Sequence, residues 1–503
     1  MSIGPEKSNE SVASRYVGMH GHAYQPPRES ADGTIYEAAE VSAEHPDHPE
    51  WRNWNDVETA LAYEPVASSG SLEHMSFDLA PTLATYLERQ HPEVYEKFIA
   101  APKTLESAGE PHNVLSTPYF HAILPLLPVR DQRTLIGWGR YDTERRFGVS
   151  PTGIWLPEMA MNSQVLAEAK RAGFEWTYGF PGQLEGPVGT PTGYNVPAGE
   201  SGDMTVLLET SHRPGWHNFY NNYDGSNPEG IQEGLDSWKD DMLAGQTPGD
   251  HFAQLSLKAT DLEHLKGALP QRVASAAAHE AKSLGWSTPS AFMARVKDKV
   301  ELPETKVVEN SAGEGATGQA HTLERWTGER DGAVVVRWKY DLQAAYGQFA
   351  AGIDAVYEKN LVTLGFDQPW EMRDDYIRLV EGETTEREYF NRWDAPQNVG
   401  AEERYQTLKL LAAEYHKLAA ASSCAWFFDN PTGVEPRIAV RQMRIAIEYL
   451  RTSGIEDSAA EATKIEESLL ERLKLVADEK SRLSKIYRGI GVVSVANQTM
   501  PVS

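Results

Sequence analysis

Apolar and polar residues recur with different periods in the two parts of the chain. In the N-terminal part, short apolar runs bounded by turn-forming residues predict strands at 16–19, 153–156, 204–211 and 252–260. From residue 334 onward the apolar residues recur at helical spacing, which predicts helices at 334–361, 405–421, 437–451 and 459–483. The pattern therefore predicts an α/β part followed by a helical part.

One acidic residue, Glu158, lies inside the otherwise apolar run GIWLPEMAM. Pro157 ends the preceding strand because proline cannot donate to a sheet ladder, and Asn162 or Ser163 can cap the helix that follows. Glu158 is thus predicted at the junction of a strand and a helix, where α/β barrels carry their chemistry. A carboxylate among apolar side chains is costly unless it is paired or used. The alternative is a structural acid bonded to the backbone or to an arginine.

Polar residues also recur at the edges of other apolar segments. His20 and His22, two residues apart, project from the same side of an extended strand, and Gln25 follows them. His121 directly precedes the apolar run AILPLLP. A single site assembled from several strand ends would produce this distribution. The alternatives for the two histidines are a polar turn and a metal site, which needs a carboxylate or a third histidine nearby.

Two further carboxylates, Asp261 and Glu263, follow the strand predicted at 252–260, and a helix is predicted at 267–284. Glycoside hydrolysis needs two carboxyl groups, one ionised beside the anomeric carbon and one protonated to serve the leaving oxygen. Glu158 and Asp261 are candidates for this pair. The alternative for Asp261 is the N-cap of the helix, a position that aspartate favours.

The composition limits the classes of partner and location. Lys+Arg 47 and Asp+Glu 73 give a net charge of −26, which argues against nucleic acid or an anionic membrane as a partner. Cys424 is the only cysteine, which excludes an internal disulfide and two-cysteine zinc motifs. No apolar run approaches the roughly 18 residues of a membrane span, and no signal-peptide core precedes Tyr16, so we expect a cytoplasmic protein. The 503 residues predict two or three domains, and 13 tryptophans and 21 tyrosines suit the faces of sugar rings.

Four segments together carry a resemblance to a known family. HGHAYQPP, TPYFHAILPLLP, IWLPEMA and ATDLEHLKG, in this order, resemble the signatures of glycoside hydrolase family 57, whose members act mainly on α-glucans by a retaining mechanism. The resemblance implies that Glu158 is the catalytic nucleophile and that Asp261 is the acid/base residue. HTLERW and AAASSCAWFFDNPTGVE are similar to a subgroup with a long helical C-terminal part.

The resemblance also implies a fold and a substrate site. The fold class is α/β, with an incomplete (β/α)7 TIM-like barrel followed by an all-helical C-terminal domain. The implied divisions are a polar tail at 1–14, the barrel at 15–300, a boundary segment at 301–332 and the helical domain at 333–503. The implied contacts to an oligo- or polysaccharide substrate come from His20, His22, Gln25 and His121 through hydrogen bonds and from Trp155 or Trp326 through stacking. Neither a metal nor a cofactor is implied.

Several alternatives remain open. Hydrolysis is not separated from transglycosylation or branching, because the same two carboxyl groups serve water or an acceptor sugar. The fourth signature is altered: Leu262 follows Asp261, and Lys266 and Gly267 stand where relatives have Gly-His. A homologue that binds glucan without cleaving it is therefore a second hypothesis. A third is a metal-dependent polysaccharide deacetylase-like hydrolase built on His20, His22 and an aspartate. The helical domain is also a candidate surface for a homo-oligomer.

Overall fold

The computed structural model of the protein describes residues 15–28, 37–186, 193–209, 254–264, 270–271, 287–296, 302–314, 319–393, 399–476 and 483–489. The polar tail at 1–14 and most of the helix predicted at 267–284 lie outside these residues. Within them, none of the helices is both long enough and apolar enough to span a bilayer.

Short strands form the sheet of the N-terminal part. They are β1 (Arg15–Ala23), β2 (Ser76–Leu79), β3 (Gly153–Ile154), β4 (Trp176–Gly179), β5 (Gly193–Pro197), β6 (Asp203–Leu208) and β7 (Gln254–Asp261). Strand β1 pairs in parallel with β2 and β7, and β4 pairs in parallel with β3 and β6. Parallel bridges from Phe77 to Val114 and from Ser116 to Ile154 connect the two groups of strands. The described segments thus follow one another in the order β7, β1, β2, 114–116, β3, β4 and β6, and β5 is antiparallel at the outer edge of β6.

The register of the strands brings three polar residues to one edge of the sheet. His22 of β1 lies opposite Asp78 of β2 and opposite Asp261 of β7. Strand β1 extends to Ala23, beyond the predicted end at residue 19, so that both of its histidines are part of the strand. The strand continues through these polar residues because its backbone still pairs with both neighbours there.

Helices cover the sheet of the N-terminal part. They are α1 (Ala38–Glu44), α2 (Trp54–Glu58), α3 (Glu64–Ser68), α4 (Pro81–Gln90), α5 (Pro92–Ser107), α6 (Val129–Phe147), α7 (Ser163–Arg171) and α8 (Pro289–Val296). The α7 helix begins as predicted, because the side chain of Asn162 accepts a hydrogen bond from the backbone N–H of Val165 at 2.9 Å.

The C-terminal part is helical, as predicted. Short strand pairs precede it, formed by β8 (Ser311–Glu314) with β9 (Gln319–Thr322) and by β10 (Glu329–Arg330) with β11 (Ala333–Val334). Its helices are α9 (Glu324–Thr327), α10 (Arg337–Thr363), α11 (Pro369–Val380), α12 (Glu386–Arg392), α13 (Ala401–Ala419), α14 (Cys424–Phe427), α15 (Val434–Arg451), α16 (Glu456–Leu473) and α17 (Leu483–Gly489). The helix predicted at 459–483 was too long, since α16 ends at Leu473, and α11 and α12 were not predicted.

The two parts of the chain share one hydrophobic core. Phe120 and Trp138 from the N-terminal part are buried in the same cluster as Tyr415 of α13, and the rings of Phe120 and Tyr415 are 5.0 Å apart. A smaller cluster lies below β3 and β4 and includes Trp155 and Tyr178. Because apolar surface is buried between the parts, the helical part is fixed against the sheet, next to the edge that carries His22.

Candidate active site

A group of buried imidazoles lies at the carboxyl end of β1. His20 and His22 project from the same side of the strand, as their spacing predicted, and both donate to the carboxylate of Asp78. The distances are 3.1 Å from Nε2 of His20 and 2.9 Å from Nδ1 of His22. The other ring nitrogen of His20, Nδ1, lies 3.0 Å from the hydroxyl oxygen of Ser76. Asp78 therefore fixes the orientation of both rings.

The imidazole group continues across the site to the helical part. Nε2 of His22 lies 2.9 Å from Nε2 of His121, and Nδ1 of His121 lies 2.8 Å from Oγ of Ser423. The same hydroxyl oxygen lies 3.5 Å from Oε1 of Glu158. All ring nitrogens of His20, His22 and His121 therefore have protein partners. That these three histidines hydrogen-bond sugar hydroxyls stays a prediction, and any such contact would be made by rings that also bond to the protein.

The protonation of the histidines follows from their surroundings. Burial opposes the charged form of His22, but the charges of Asp78, Asp261 and Glu158 and the hydrogen bonds to Asp78 raise its pKa to about 9. Burial and the neighbouring charge of His22 lower the pKa of His121 well below its ordinary value. Burial by itself raises the pKa of Asp78, but the charges and hydrogen bonds of His22 and His20 outweigh this effect and lower the pKa below its ordinary value. At neutral pH the site thus holds an ionised Asp78, a cationic His22 and a neutral His121.

Glu158 lies on a tight turn of unusual backbone conformation. The turn is a single 3-10 segment, Pro157–Met159, and both Glu158 (φ 56°) and Met159 (φ 48°) have left-handed backbone angles. Such angles cost about 1 kcal/mol or more for a residue with a side chain, so the surroundings must hold them. The side chain of Gln183 donates to the carbonyl of Met159 at 2.8 Å.

The predicted boundary segment also supports this turn. Met161 and Ser311 exchange two backbone hydrogen bonds, with N–O distances of 2.8 and 3.1 Å. In addition, Gly313 of β8 packs so closely against Phe180 that a Cβ atom at this position would lie 2.2 Å from the ring. Ser311 and Gly313 of this segment therefore help to support the turn that carries Glu158.

The carboxyl group of Glu158 is held in an environment that raises its affinity for a proton. Burial and the nearby negative charge of Asp261 raise the pKa of Glu158 to about 7, against the opposing effects of His22, Arg325 and Ser423. The two carboxyl groups proposed from the sequence are thus close enough to interact electrostatically. A buried carboxyl group whose pKa is raised beside a second carboxyl group is typical of catalytic sites.

The residues around Asp261 fix its position at the end of β7. Leu262 is fully buried, and its Cδ2 atom lies where a Cβ atom on Gly21 would be only 2.2 Å away. Glu263 accepts a hydrogen bond from the side chain of Gln25 at 2.6 Å. The leucine that departs from the family signature therefore anchors the chain after Asp261 against β1. Gln25 also accepts from Arg28 at 3.1 Å, so this predicted substrate-binding residue is engaged within the protein.

Aromatic rings surround the imidazole group. Trp155 stacks on His20 and His22, with ring centroids 4.7 and 5.1 Å apart. Tyr24, which was not predicted, stacks on His121 at 3.8 Å. Trp326 is buried in the shared core, 6.5 Å from the ring of Phe427. Both predicted stacking residues are thus largely covered by protein.

Sequence reasoning missed several residues of the site. Asp78 stands in the apolar run SFDLA and offers the same signal as Glu158, an acid among apolar residues, so it was open to prediction. Arg325 directly precedes Trp326 and acts on Glu158 through its charge. Ser423 carries no signal in the sequence, because its place depends on how the helical part packs on the sheet.

The described residues offer one group of carboxylates with the spacing of metal ligands, and it lies outside this site. It consists of Asp131, Asp354 and Glu414. The ammonium group of Lys417 lies 2.6 Å from Asp354 and 2.9 Å from Glu414, so a protein cation already fills the centre of the group.

Comparisons with known families agree with this geometry. Residues 18–179, which contain the three histidines and Glu158, match the model of Glycosyl hydrolase family 57. This N-terminal region of the chain is similar to glycosyl hydrolase family 57. The resemblance seen in the sequence is thus confirmed. Residues 336–490 match a different model, Domain of unknown function (DUF3536). The family 57 region therefore supplies Glu158, and the second domain supplies Ser423.

Solved structures share the fold of the family 57 region together with the helical part. An exo-type maltose-forming amylase from Pyrococcus sp. ST04 is 16% identical, with 97% of this chain and 90% of that chain covered and a TM-score of 0.68. A family 57-type branching enzyme from Pyrococcus horikoshii is 14% identical, with 94% and 96% covered and a TM-score of 0.55. A branching enzyme from Thermococcus kodakaraensis is 12% identical, with 96% of each chain covered and a TM-score of 0.53. No curated protein matches the chain.

Proposed function

We propose that the protein is a retaining enzyme that cleaves or transfers α-glucan or related α-linked saccharides by double displacement. The observation that carries this proposal is the position of Glu158 and Asp261 at the edge where the parallel strands end, close enough that the charge of Asp261 raises the pKa of Glu158. The similarity in fold to a maltose-forming amylase and to a branching enzyme supports an α-glucan as substrate. A cytoplasmic location and a possible homo-oligomer remain predictions from the sequence.

In the proposed reaction, an oxygen of Glu158 attacks the anomeric carbon and the glycosidic bond breaks. In the reactive form of the pair the single proton is held by Asp261, which gives it to the leaving oxygen, and a covalent glycosyl ester forms on the ionised Glu158. Asp261 then takes a proton from water or from an acceptor hydroxyl, which attacks the same carbon and releases Glu158. Double displacement requires the carboxyl groups about 5–5.5 Å apart. The positive charges of His22 and Arg325 act on Glu158 and favour its ionised, attacking form.

The order of the strands supports the proposed incomplete (β/α)7 barrel. Among the described residues, the parallel series β7, β1, β2, 114–116, β3, β4 and β6 has the number of segments that this fold needs. We place the barrel domain at 15–300 and the helical domain at 333–503. The boundary segment at 301–332 lies against the turn of Glu158, which makes it part of the site.

The proposal is tested by product analysis with defined malto-oligosaccharides. The wild type is expected to redistribute chain lengths with retention of the α-anomer, as followed by chromatography and by NMR of the fresh products. Glu158→Gln removes the nucleophile and is expected to lower kcat by at least about a thousandfold. Longer or branched products identify a transferase, and shorter products with released reducing ends identify a hydrolase.

A matched variant controls for nonspecific effects of the substitution. Glu144→Gln makes the same change on the exposed face of α6, where Glu144 pairs with Arg140, and is expected to retain full activity. The proposal of a retaining enzyme fails if the products have the inverted anomer. It also fails if the wild type binds α-glucan without changing it, which is the behaviour of a silent glucan-binding homologue.

A further inference from the structure

A short turn of the helical part enters the candidate site. It follows α13 and contains Ser422 and Ser423, which precede α14. Ser422 forms an antiparallel bridge with Ala122, and the backbone N–H of Ser423 donates to the carbonyl of His121 at 2.9 Å. The side chain of Ser423 is fully buried and lies between the ring of His121 and the carboxyl group of Glu158. Backbone bonds thus hold this hydroxyl in place independently of its own contacts.

The direction of each hydrogen bond in the chain from Asp78 to Glu158 follows from the first one. Nδ1 of His22 faces the carboxylate of Asp78 and must carry a proton. His22 is cationic, so its Nε2 also carries a proton and donates to Nε2 of His121.

Neutral His121 then has its own proton on Nδ1, which donates to Oγ of Ser423. Because Oγ of Ser423 accepts this hydrogen bond, its own proton is free to donate to Oε1 of Glu158. The three hydrogen bonds from His22 onward therefore donate toward Glu158, whereas the first one donates to Asp78.

We propose that Ser423 is a positioning residue that orients the Glu158 carboxylate and favours its ionised form, and that supplying this hydroxyl is a role of the C-terminal domain of unknown function. This inference rests on the proposed function, in which Glu158 is the nucleophile. The 3.5 Å separation between the hydroxyl and Oε1 is long, as is common for catalytic hydrogen bonds before substrate binds.

Other charged and titratable groups also act on Glu158, and they come from several elements. They are Asp261 at the end of β7, His22 in β1, Arg325 in α9 and Cys424 at the start of α14. Ser423→Ala removes none of these groups. The substitution therefore isolates the contribution of one hydroxyl group to the titration of Glu158.

The kinetic test compares the pH profiles of kcat/KM for the wild type and Ser423→Ala. Loss of a hydrogen bond to the ionised form raises the pKa of the carboxyl group, so the acidic limb is expected to move up by about half to one pH unit. We also expect kcat to fall about tenfold with little change in KM. Ser422→Ala is the matched control, because the hydroxyl of Ser422 bonds to the hydroxyl of Tyr24 at 2.6 Å and takes no part in the series of hydrogen bonds that ends at Glu158. Its acidic limb is expected to stay at the wild-type position.

A second measurement does not depend on activity. NMR spectra of protein labelled with ¹⁵N-histidine, assigned with His121→Gln, are expected to show His121 with its proton on Nδ1 and His22 protonated on both nitrogens at pH 7. Ser423→Ala is expected to shift the Nδ1 resonance of His121. An Nε2–H tautomer of His121, or an acidic limb that does not move in an active Ser423→Ala variant, would overturn the inference. If the wild type cleaves no α-glucan but shows the expected tautomers and shift, the hydrogen-bonded chain stands and the proposed function fails separately.

Discussion

At the scale of single residues, the site combines backbone strain with buried charge. His121 (φ 51°), Glu158 (φ 56°) and Met159 (φ 48°) all have left-handed backbone angles without being glycine. Such positions persist only where neighbouring bonds fix them, and they concentrate at functional sites. Here the hydrogen bonds from Ser423 to His121 and from Gln183 to Met159 provide that constraint. Holding Glu158 and His121 in these backbone conformations therefore lowers the stability of the folded protein.

The titration of Glu158 leads to a prediction about stability. Its pKa is about 7 in the folded protein, above the ordinary value of 4.5, so the folded state binds this proton more tightly than the unfolded state. Stability is thus lost as the pH rises from about 4.5 to about 7, by up to about 3 kcal/mol. Glu158→Gln is permanently neutral and avoids this cost. We expect the variant to have a higher Tm than the wild type at pH 8 and a Tm close to that of the wild type at pH 4.5.

Glu144→Gln serves as the control for this comparison, since it makes the same change at an exposed side chain of α6. Thermal unfolding of the three proteins at several pH values measures the effect. A gain for Glu158→Gln that is the same at pH 4.5 and at pH 8 would show that its origin is packing and not the ionisation of Glu158.

The sequence predicted single residues where their local surroundings gave a signal. Glu158 was identified because a carboxylate among apolar residues costs free energy unless it is paired or used in catalysis. The same argument applies to Asp78, which was overlooked. The mutual bonding of the three histidines was not predictable, since a strand end does not reveal which neighbour reaches each ring nitrogen. Ser423 was hidden for the same reason, because serine in AAASSCAWFF has no distinguishing pattern.

At the scale of elements, the position of Asp261 depends on how β1 and β7 meet. Gly21 lies in β1 between the two histidines, and Leu262 fills the space above it. Gly21→Ala places a methyl group 2.2 Å from Cδ2 of Leu262 and 2.8 Å from Cε of Met75, so these side chains must shift. We expect the shift of Leu262 to displace the adjoining Asp261. We expect kcat to fall by about ten- to a hundredfold, because a displacement near 1 Å at a catalytic group has such effects. Steady-state kinetics on malto-oligosaccharides measures this change.

A double-mutant cycle identifies the cause. Leu262→Ala alone removes buried apolar surface and is expected to cost about 2–5 kcal/mol of stability. Gly21→Ala together with Leu262→Ala restores part of the volume and removes the clash, so the double variant should lose less than the sum of the single losses. If the changes in Tm and in the logarithm of kcat are strictly additive, Gly21 and Leu262 do not act through one another.

The elements themselves were predicted unevenly from the sequence. Helices with a long apolar stripe, such as α10, α13 and α15, were found because burial of one face dominates their sequence. The short strand β2 was missed, because Ser76–Leu79 is buried on both sides and shows no alternation. The end of β1 was placed too early because its histidines are polar yet buried.

At the scale of the whole molecule, a buried network of charges connects the two parts of the chain. Asp131 lies on α6 of the N-terminal part, and Lys417 of α13 contacts it at 3.1 Å. Arg373 of α11 contacts the same carboxylate at 2.7 Å and Glu414 at 3.0 Å. Since α13 ends just before Ser422, this network also fixes the helix that brings Ser423 to the site.

Lys417→Met tests this connection. The change leaves Asp131, Asp354 and Glu414 close together and buried, with less positive charge to compensate them. Breaking a buried ion pair in this way costs about 3–5 kcal/mol, so a clearly lower Tm is expected. Burial already raises the pKa of Glu414, and loss of the lysine charge raises it further. Proton uptake then relieves the repulsion, and the loss of Tm should be larger at pH 8 than at pH 6.

The exposed pair of Lys464 and Glu461 provides the matched control, because Lys464→Met removes an ion pair of the same kind from the surface. Surface pairs contribute only about 0–1 kcal/mol, so its Tm should stay near the wild-type value. If the network fixes Ser423 through α13, Lys417→Met should also move the acidic limb of kcat/KM toward that of Ser423→Ala at temperatures where the variant is folded. A lower Tm with an unchanged pH profile would show that the network stabilises the interface between the two parts without positioning the hydroxyl.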